Sequence, residues 1–263
     1  MNVLRVRSGF HPVAVERIGD VVVRDAGPWT TTVHMLLHHL EQVGFAGAPR
    51  VFGFDADGRE MLSFIEGEFT QPGPWTLDGA ASVGLLLRQL HAATASFRVP
   101  PDAVWYDWFG RALGGPDRVI GHCDMAPWNI VTRERRAVAV IDWDRAGPVD
   151  PLVELAQVCW LNAKLHDDIL AEREGLPSPD ERARQLRAIV DAYGLSRAQR
   201  SGFVDRIIEF TVHDAADEAN LARVTKDTTP AQLDPQVPWA MAWRIRAAAW
   251  QLKHRSVFER ALA

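Results

Sequence analysis

The chain has little lysine, two cysteines, no long apolar run and no surplus of positive charge. No lysine precedes Lys164, so arginine must supply any strong cation in the first half. Cys123 and Cys159 have no metal-ligand spacing and suggest no disulfide framework, so free thiols are expected. A net charge of -5 and a pI of about 6.0 argue against a nucleic-acid binder that works by neutralising phosphates. No signal-peptide pattern opens the sequence, and no apolar stretch is long enough to cross a bilayer. Internal repeats and low-complexity tracts are also missing. These absences lead to an expectation of a cytoplasmic protein, monomeric or homodimeric, with neither nucleic acid nor membrane as partner.

Hydrophobic residues make up 47% of the 263, enough for one compact unit or two lobes sharing a cleft. The first part reads as strands with one helix. Val13 to Ile18 and Val21 to Arg24 flank Gly19-Asp20, and Val51 to Phe54 and Met61 to Ile65 flank Asp55 to Gly58, two hairpin signals. Thr31 to about Val43 is helical. From Thr76 on, apolar residues fall at helical spacing over Leu77 to Ala95. Pro151 opens a helix to Leu165, and Asp180 to Tyr193 stops at Gly194. Ser196 caps a helix from Arg197 to about Leu221, and Trp239 to about Leu262 is the last. His166 to Pro179 reads as an exposed loop.

The most informative stretch is Gly121-His122-Cys123-Asp124-Met125-Ala126-Pro127-Trp128-Asn129, followed by Ile141-Asp142-Trp143. An apolar run ends at Gly121, and Pro127 bars a helix, so His122 to Asn129 is a loop after a strand. Ile130 to Thr132 and Ala137 to Ile141 are strand-like around a charged turn. Such a hairpin would bring Asn129 and Asp142 together at one end. Two oxygen ligands on adjacent strand ends suit Mg²⁺, which keeps several waters and takes one or two protein groups plus phosphates. A carboxylate five residues before the Asn completes the parts for phosphoryl transfer: Asp124 to accept the proton of an acceptor hydroxyl, Asn129 and Asp142 for the metal. Taken singly, each of the three would pass for a loop cap or a turn residue.

His-x-Asp-x-x-x-x-Asn followed by Ile-Asp-Trp resembles the aminoglycoside phosphotransferase-like family of small-molecule kinases, which share the protein-kinase fold. Weaker similarity runs from about residue 5 to about residue 160: Val22-Val23-Arg24, Leu36 to Leu40, the hinge-like Leu62-Ser63-Phe64-Ile65-Glu66-Gly67 and the helix segment Leu87 to His91. The resemblance implies an α+β, two-lobed fold, with a β-rich nucleotide-binding lobe over residues 1–66 and a mainly helical catalytic and substrate lobe over 67–263. It implies Asp124 as catalytic base and His122 as the residue bracing the loop. Asn129 and Asp142 would be the Mg²⁺ ligands, and Arg24, Ser63, Phe64 and Ile65 would contact ATP or GTP. Asp144 would approach a second metal or a cationic substrate, or pair with Arg145.

Two departures stand out. The fold usually pairs a strand lysine with a helix glutamate. Here Arg24 takes the strand position, and Val33 or His34 stands where the glutamate would be, so the pair is absent or replaced. Ser8-Gly9-Phe10-His11-Pro12 is a thin substitute for a glycine-rich phosphate cover.

The acceptor, a small molecule bearing a hydroxyl, is less legible. Asp214, Asp217 and Glu218 cluster on one helix, with Asp214 and Glu218 at i,i+4. Like charges so placed hint that a cation relieves them, and the same pattern also describes a solvated helix face. Of ten tryptophans, Trp105, Trp108, Trp128 and Trp143 fall near the expected cleft. Metabolite kinase, catalytically weak nucleotide-binding pseudokinase and helical interaction protein are the competing readings.

Overall fold

Four short segments rich in β-branched and apolar residues pair into one antiparallel sheet in the computed structural model, which describes residues 15–263. They are β1 (Val15–Ile18), β2 (Val21–Arg24), β3 (Val51–Phe54) and β4 (Glu60–Ser63), in the order β1-β2-β4-β3. Both expected hairpins form, with Gly19 and Gly58 at positive φ in the turns. Val13-Ala14 and the expected phosphate cover Ser8 to Pro12 lie outside the described residues. Helix α1 (Thr30–Gln42) covers one face of the sheet and buries Val33, Leu36, Leu37 and Leu40, an apolar stripe at helical spacing.

Helices then take over. Thr76 caps α2 (Leu77–Thr94) by accepting from the Gly79 N–H at 3.1 Å. This helix buries Val83, Leu86, Leu87 and Leu90 and packs on α5 (Pro179–Tyr193). Gly84 is what lets the two helices meet so closely, because a Cβ there would sit 2.1 Å from the Ile189 carbonyl oxygen.

Between these helices in sequence lies a second set of strands. β5 (Val119–Gly121) pairs with β8 (Gly147–Val149), and β6 (Ile130–Arg133) pairs with β7 (Arg136–Val140). Asp150 then caps α3 (Pro151–Asn162), accepting from the Leu152 N–H at 2.7 Å, with Pro151 in the first turn. From Val153 to Asn162 every residue of α3 is buried.

Three expectations for the helical half need correction. His166 to Pro179 is not an exposed loop. Asp167 caps a short helix α4 (Asp168–Glu174), and Leu170 and His166 are buried. The helix expected from Arg197 to Leu221 is two, α6 (Arg197–Arg200) and α7 (Phe203–Leu221), because Ser201 is extended and Gly202 left-handed at φ 75. The last helix also divides, into α8 (Val237–Lys253) and α9 (Arg255–Leu262), at His254. Phe258 and Leu262 of α9 are buried in the core.

Candidate active site

The loop between β5 and β6 is pinned by its own backbone and by helix α3. The Ala126 N–H donates to the Asp124 carbonyl and the Asn129 N–H to the Ala126 carbonyl, each at 2.8 Å. Cys123 is left-handed at φ 63, and its N–H donates to Glu154 on α3 at 2.7 Å. Glu154 is wholly buried, and its other oxygen lies 2.7 Å from Nε2 of His91 on α2, whose Nδ1 meets the Tyr193 hydroxyl at 2.9 Å. Burial alone would raise the Glu154 carboxyl, but His91 and the Cys123 N–H outweigh it and hold the group below the usual carboxylate range. Gly121 is required here, since a Cβ would fall 1.9 Å from the Glu154 carboxylate. A chain of three polar groups, Glu154 and His91 buried and Tyr193 half-buried, thus supports the loop from beneath.

His122 is also buried. Its Nε2 lies 3.0 Å from the Ile141 carbonyl, and its Nδ1 accepts from the Asp124 N–H at 3.2 Å. Burial pushes its pKa down to about 4, so the ring is neutral with the proton on Nε2. The rings of Trp143 and His122 meet in a T-shaped contact with centroids 4.7 Å apart, and Trp143 Nε1 donates to the Val140 carbonyl at 2.9 Å. Cys123 and Cys159 are both free and buried, and burial pushes both thiols up.

Asn129, Asp124 and Asp142 come together as the spacing implied. Asn129 Nδ2 donates to the Asp124 carbonyl at 3.0 Å and to Asp124 Oδ2 at 3.2 Å. That contact turns the amide oxygen of Asn129 away from Asp124. The Ile141 N–H donates to the Asn129 carbonyl at 2.9 Å, which sets Asp142 beside Asn129 at the end of the β6–β7 hairpin. Asp142 is left-handed at φ 64 and opens a single turn of 3₁₀ helix, Trp143–Arg145.

Burial pushes Asp124 up to about 6; Arg145 and the Asn129 amide pull against it, while Asp142 and Asp214 add to it. Arg145 stands 4.0 Å from Asp124 with its guanidinium over the Tyr106 ring. Arg111 fixes the backbone beyond the turn by donating to the carbonyls of Arg145 at 2.9 Å, Ala146 at 3.1 Å and Pro148 at 3.1 Å.

From the sheet, Arg24 reaches this same cluster. Its Nε donates to Glu60 on β4, its Nη1 to Asp142 at 3.0 Å and its Nη2 to Asp144 at 2.6 Å. Burial works against the Arg24 charge, but Asp144, Glu60 and Asp142 more than compensate and hold its pKa above the usual guanidinium value. Asp144, lifted by its own burial, therefore has Arg24 as its partner instead of Arg145. The strand–helix pair is replaced: Glu60 is supplied by β4, and α1 contributes His34, whose Nε2 lies 3.0 Å from the far oxygen of Glu60.

The remaining expected residues are more dispersed. Ser63 ends β4, and its N–H donates to the Arg50 carbonyl at 2.8 Å. The Phe64 N–H donates to the Asp20 carbonyl at 2.8 Å, and the Arg17 guanidinium lies 3.5 Å from the Phe64 ring centroid. Ile65 follows, half-buried. Asp214 and Glu218 face the core side of α7, where Arg244 of α8 meets them at 2.5 and 3.2 Å. The cation relieving that pair is thus a residue of the chain itself. Asp217, one turn along, is lifted by burial and by Asp214. Trp108 and Trp143 are core residues, while Trp128 is 44% exposed.

Sequence reasoning missed Glu60, Glu154, Arg111 and Arg244. Glu154 had a signal, a lone acid in the apolar run Pro151-Leu152-Val153-Glu154-Leu155-Ala156. Glu60 had one too, lying in register with Arg24 once the two hairpins are laid side by side.

Among the described residues, no group of three or more His, Cys, Asp or Glu side chains forms a metal cage. The donor set that is present, one carboxylate and one amide oxygen on adjacent strand ends, matches a divalent ion that takes its other ligands from phosphate and water.

Known proteins resemble this chain in sequence and in fold. The profile of the phosphotransferase enzyme family matches residues 78–203. A trifolitoxin immunity protein of Rhizobium leguminosarum bv. trifolii is 56% identical over 258 residues, covering 97% of both chains. Among solved structures, the microcompartment-associated aminopropanol kinase aligns with a TM-score of 0.64 at 14% identity, covering 99% of this chain and 94% of its own. A choline/ethanolamine kinase family protein from Mesorhizobium loti aligns at 0.57 and 18%, covering 100% and 92%. An amicoumacin kinase in complex with AMP-PNP, Ca²⁺ and its ligand aligns at 0.63 and 12%, covering 95% and 88%. This two-lobed, kinase-like chain belongs to the phosphotransferase enzyme family.

Proposed function

We propose that this chain transfers the γ-phosphate of ATP or GTP to a hydroxyl of a small molecule. The observation that carries the reading is the convergence of Asp124, Asn129 and Asp142 on one end of the β6–β7 hairpin, with a cation from the opposite lobe among them. In this reading residues 1–66 hold the nucleotide, and residues 67–263 supply the catalytic groups and the acceptor site.

Asp124 is the base. A carboxyl at about pKa 6 is largely ionised at neutral pH yet basic enough to take a hydroxyl proton as the oxygen attacks. Asn129 holds that carboxylate in place, and neutral His122 carries its backbone. Asn129 and Asp142 hold the divalent ion, Mg²⁺, which when bound neutralises charge on the transferred phosphoryl group. The N–H groups of Ser63 and Phe64 are already used within the sheet, so the next hinge group in line for a nucleobase is Ile65. The solved amicoumacin kinase complex, with its nucleotide analogue and Ca²⁺, supports nucleotide and divalent metal use in this fold.

For the acceptor we favour an antibiotic-like or other cationic molecule, approached by Asp217 of α7; Asp214 and Glu218 are already paired with Arg244, and Asp144 with Arg24. The 56% identical relative is named for immunity to a toxin, which supports protection by phosphorylation of a toxic compound. Metabolite kinase is the second reading. The aminopropanol kinase and the choline/ethanolamine kinase family protein, which align over almost the whole chain, favour it. Screening aminoglycosides, choline-like alcohols and sugars with either nucleotide tests these readings, with phosphorylated product by mass spectrometry as the measurement. Product that is lost in Asp124→Ala supports the assignment. Nucleotide binding without turnover of any acceptor, in a folded protein, favours a non-catalytic role.

A further inference from the structure

The small lobe's cation is held in an unusual way. Arg24 and Glu60 face each other in the antiparallel register of β2 and β4, so their side chains share one face of the sheet. Both are buried, at 6% and 1% exposure. A buried ion pair is tolerated when further hydrogen bonds satisfy its remaining polar atoms, and these are present. Glu60 uses one oxygen on Arg24 Nε and the other on His34 Nε2 at 3.0 Å. The outer edge of the guanidinium is turned away from the sheet, toward Asp142 at 3.0 Å and Asp144 at 2.6 Å. A simple cross-strand brace would need only the Glu60 contact. The outer edge instead presents two nitrogens to the place where the metal and phosphates are assigned. Helix α1 offers no carboxylate to this cluster, and its one acid, Glu41, pairs with Arg50 at the surface at 3.2 Å.

We propose that Glu60 and His34 are positioning residues that aim Arg24, the cation that the kinase reading sets against the nucleotide phosphates. The proposal rests on the kinase reading above and adds the residues that set up its nucleotide grip. Two properties follow. The pairing partner of the phosphate-facing cation lies on a strand, so the cation's aim is fixed by the sheet register and not by the placement of α1. The planar fork binds phosphate through paired N–H groups, which a single ammonium does not do.

The test is calorimetric binding of ATP and GTP, with and without Mg²⁺, to the wild-type chain and to Glu60→Gln, His34→Leu and Glu41→Ala, alongside the nucleotide KM and kcat. Glu60→Gln removes the charge that orients Arg24 and is expected to weaken nucleotide binding about tenfold, the size of one charge-assisted hydrogen bond. The loss should appear in nucleotide Kd and KM and leave acceptor KM unchanged. His34→Leu should shift affinity in the same direction by less, and Glu41→Ala should bind like wild type. A folded Glu60→Gln protein with wild-type affinity overturns the proposal, and so does a Glu41→Ala loss as large as that of Glu60→Gln. Should Glu60→Gln fail to fold, unchanged affinity in His34→Leu overturns it. If the wild-type chain binds neither nucleotide, the kinase reading falls and takes this proposal with it. If it binds and Glu60→Gln binds equally, only this proposal falls.

Discussion

The loop around Asp124 and the sheet around Arg24 both hold ionisable groups at one cleft, but they hold them differently. The loop is built from neighbours in sequence: Asp124 is fixed by Asn129 and by the neutral ring of His122, within a span of eight residues. Its deeper support is one buried carboxylate, Glu154, braced by His91. The sheet joins Arg24 to Glu60 across 36 positions and to Asp142 and Asp144 across 118 and 120. The first arrangement sets the basicity of one group. The second holds a charge between two lobes. Damage to the loop should therefore show in turnover, and damage to the sheet cluster in nucleotide affinity.

The largest break is Asp124→Ala. It removes the proposed base and should lower kcat by about 10²- to 10⁴-fold while nucleotide Kd, read by calorimetry, stays near wild type. A parallel loss of nucleotide affinity would erase the contrast between the two regions. Glu154→Ala tests the loop's foundation. It strands the His91 ring and the Cys123 N–H in the core and should cost about 3–5 kcal/mol of stability, measured by denaturant unfolding. A variant with near wild-type stability would show that the loop does not depend on α3.

The pH profile separates the regions more gently. Asp124 has its pKa raised to about 6, and only its ionised form accepts a proton. Activity should accordingly fall as pH drops through about 6 and level off above it, with nucleotide binding much less affected over the same range. A rate flat from pH 5 to pH 8, about one unit below and two above that pKa, would remove Asp124 from the base role.

The two regions also differed in how far sequence revealed them. Asp124, Asn129 and Asp142 lie within nineteen residues, and a strand–loop–hairpin pattern is enough to place them side by side. The hairpins and most helices were equally legible, because turn chemistry and apolar spacing are local. Arg24 was visible as a substitute for lysine, but its partner was not. A pair set by sheet register needs the strand order β1-β2-β4-β3, which depends on how distant hairpins align. Glu154 with His91, and Arg244 with Asp214, were hidden for the same reason. The acidic cluster on α7 looked like a site awaiting a cation because α8 could not be folded back onto it by inspection. The helix break at His254 was missed because buried apolar residues recur at helical spacing across it, from Ala247 and Trp250 to Phe258 and Leu262, while the break at Gly202 had a signal in the glycine itself.

In the kinase reading Asp142, beside Asn129, holds a divalent ion against nucleotide phosphates. Calorimetry of ATP and GTP with and without Mg²⁺, on wild type and Asp142→Ala, tests it most directly. Mg²⁺-dependent binding of at least one nucleotide is expected for the wild-type chain, with loss of that dependence in Asp142→Ala. Equal Mg²⁺-dependent binding by both proteins, or no binding by a folded wild-type chain, would contradict it.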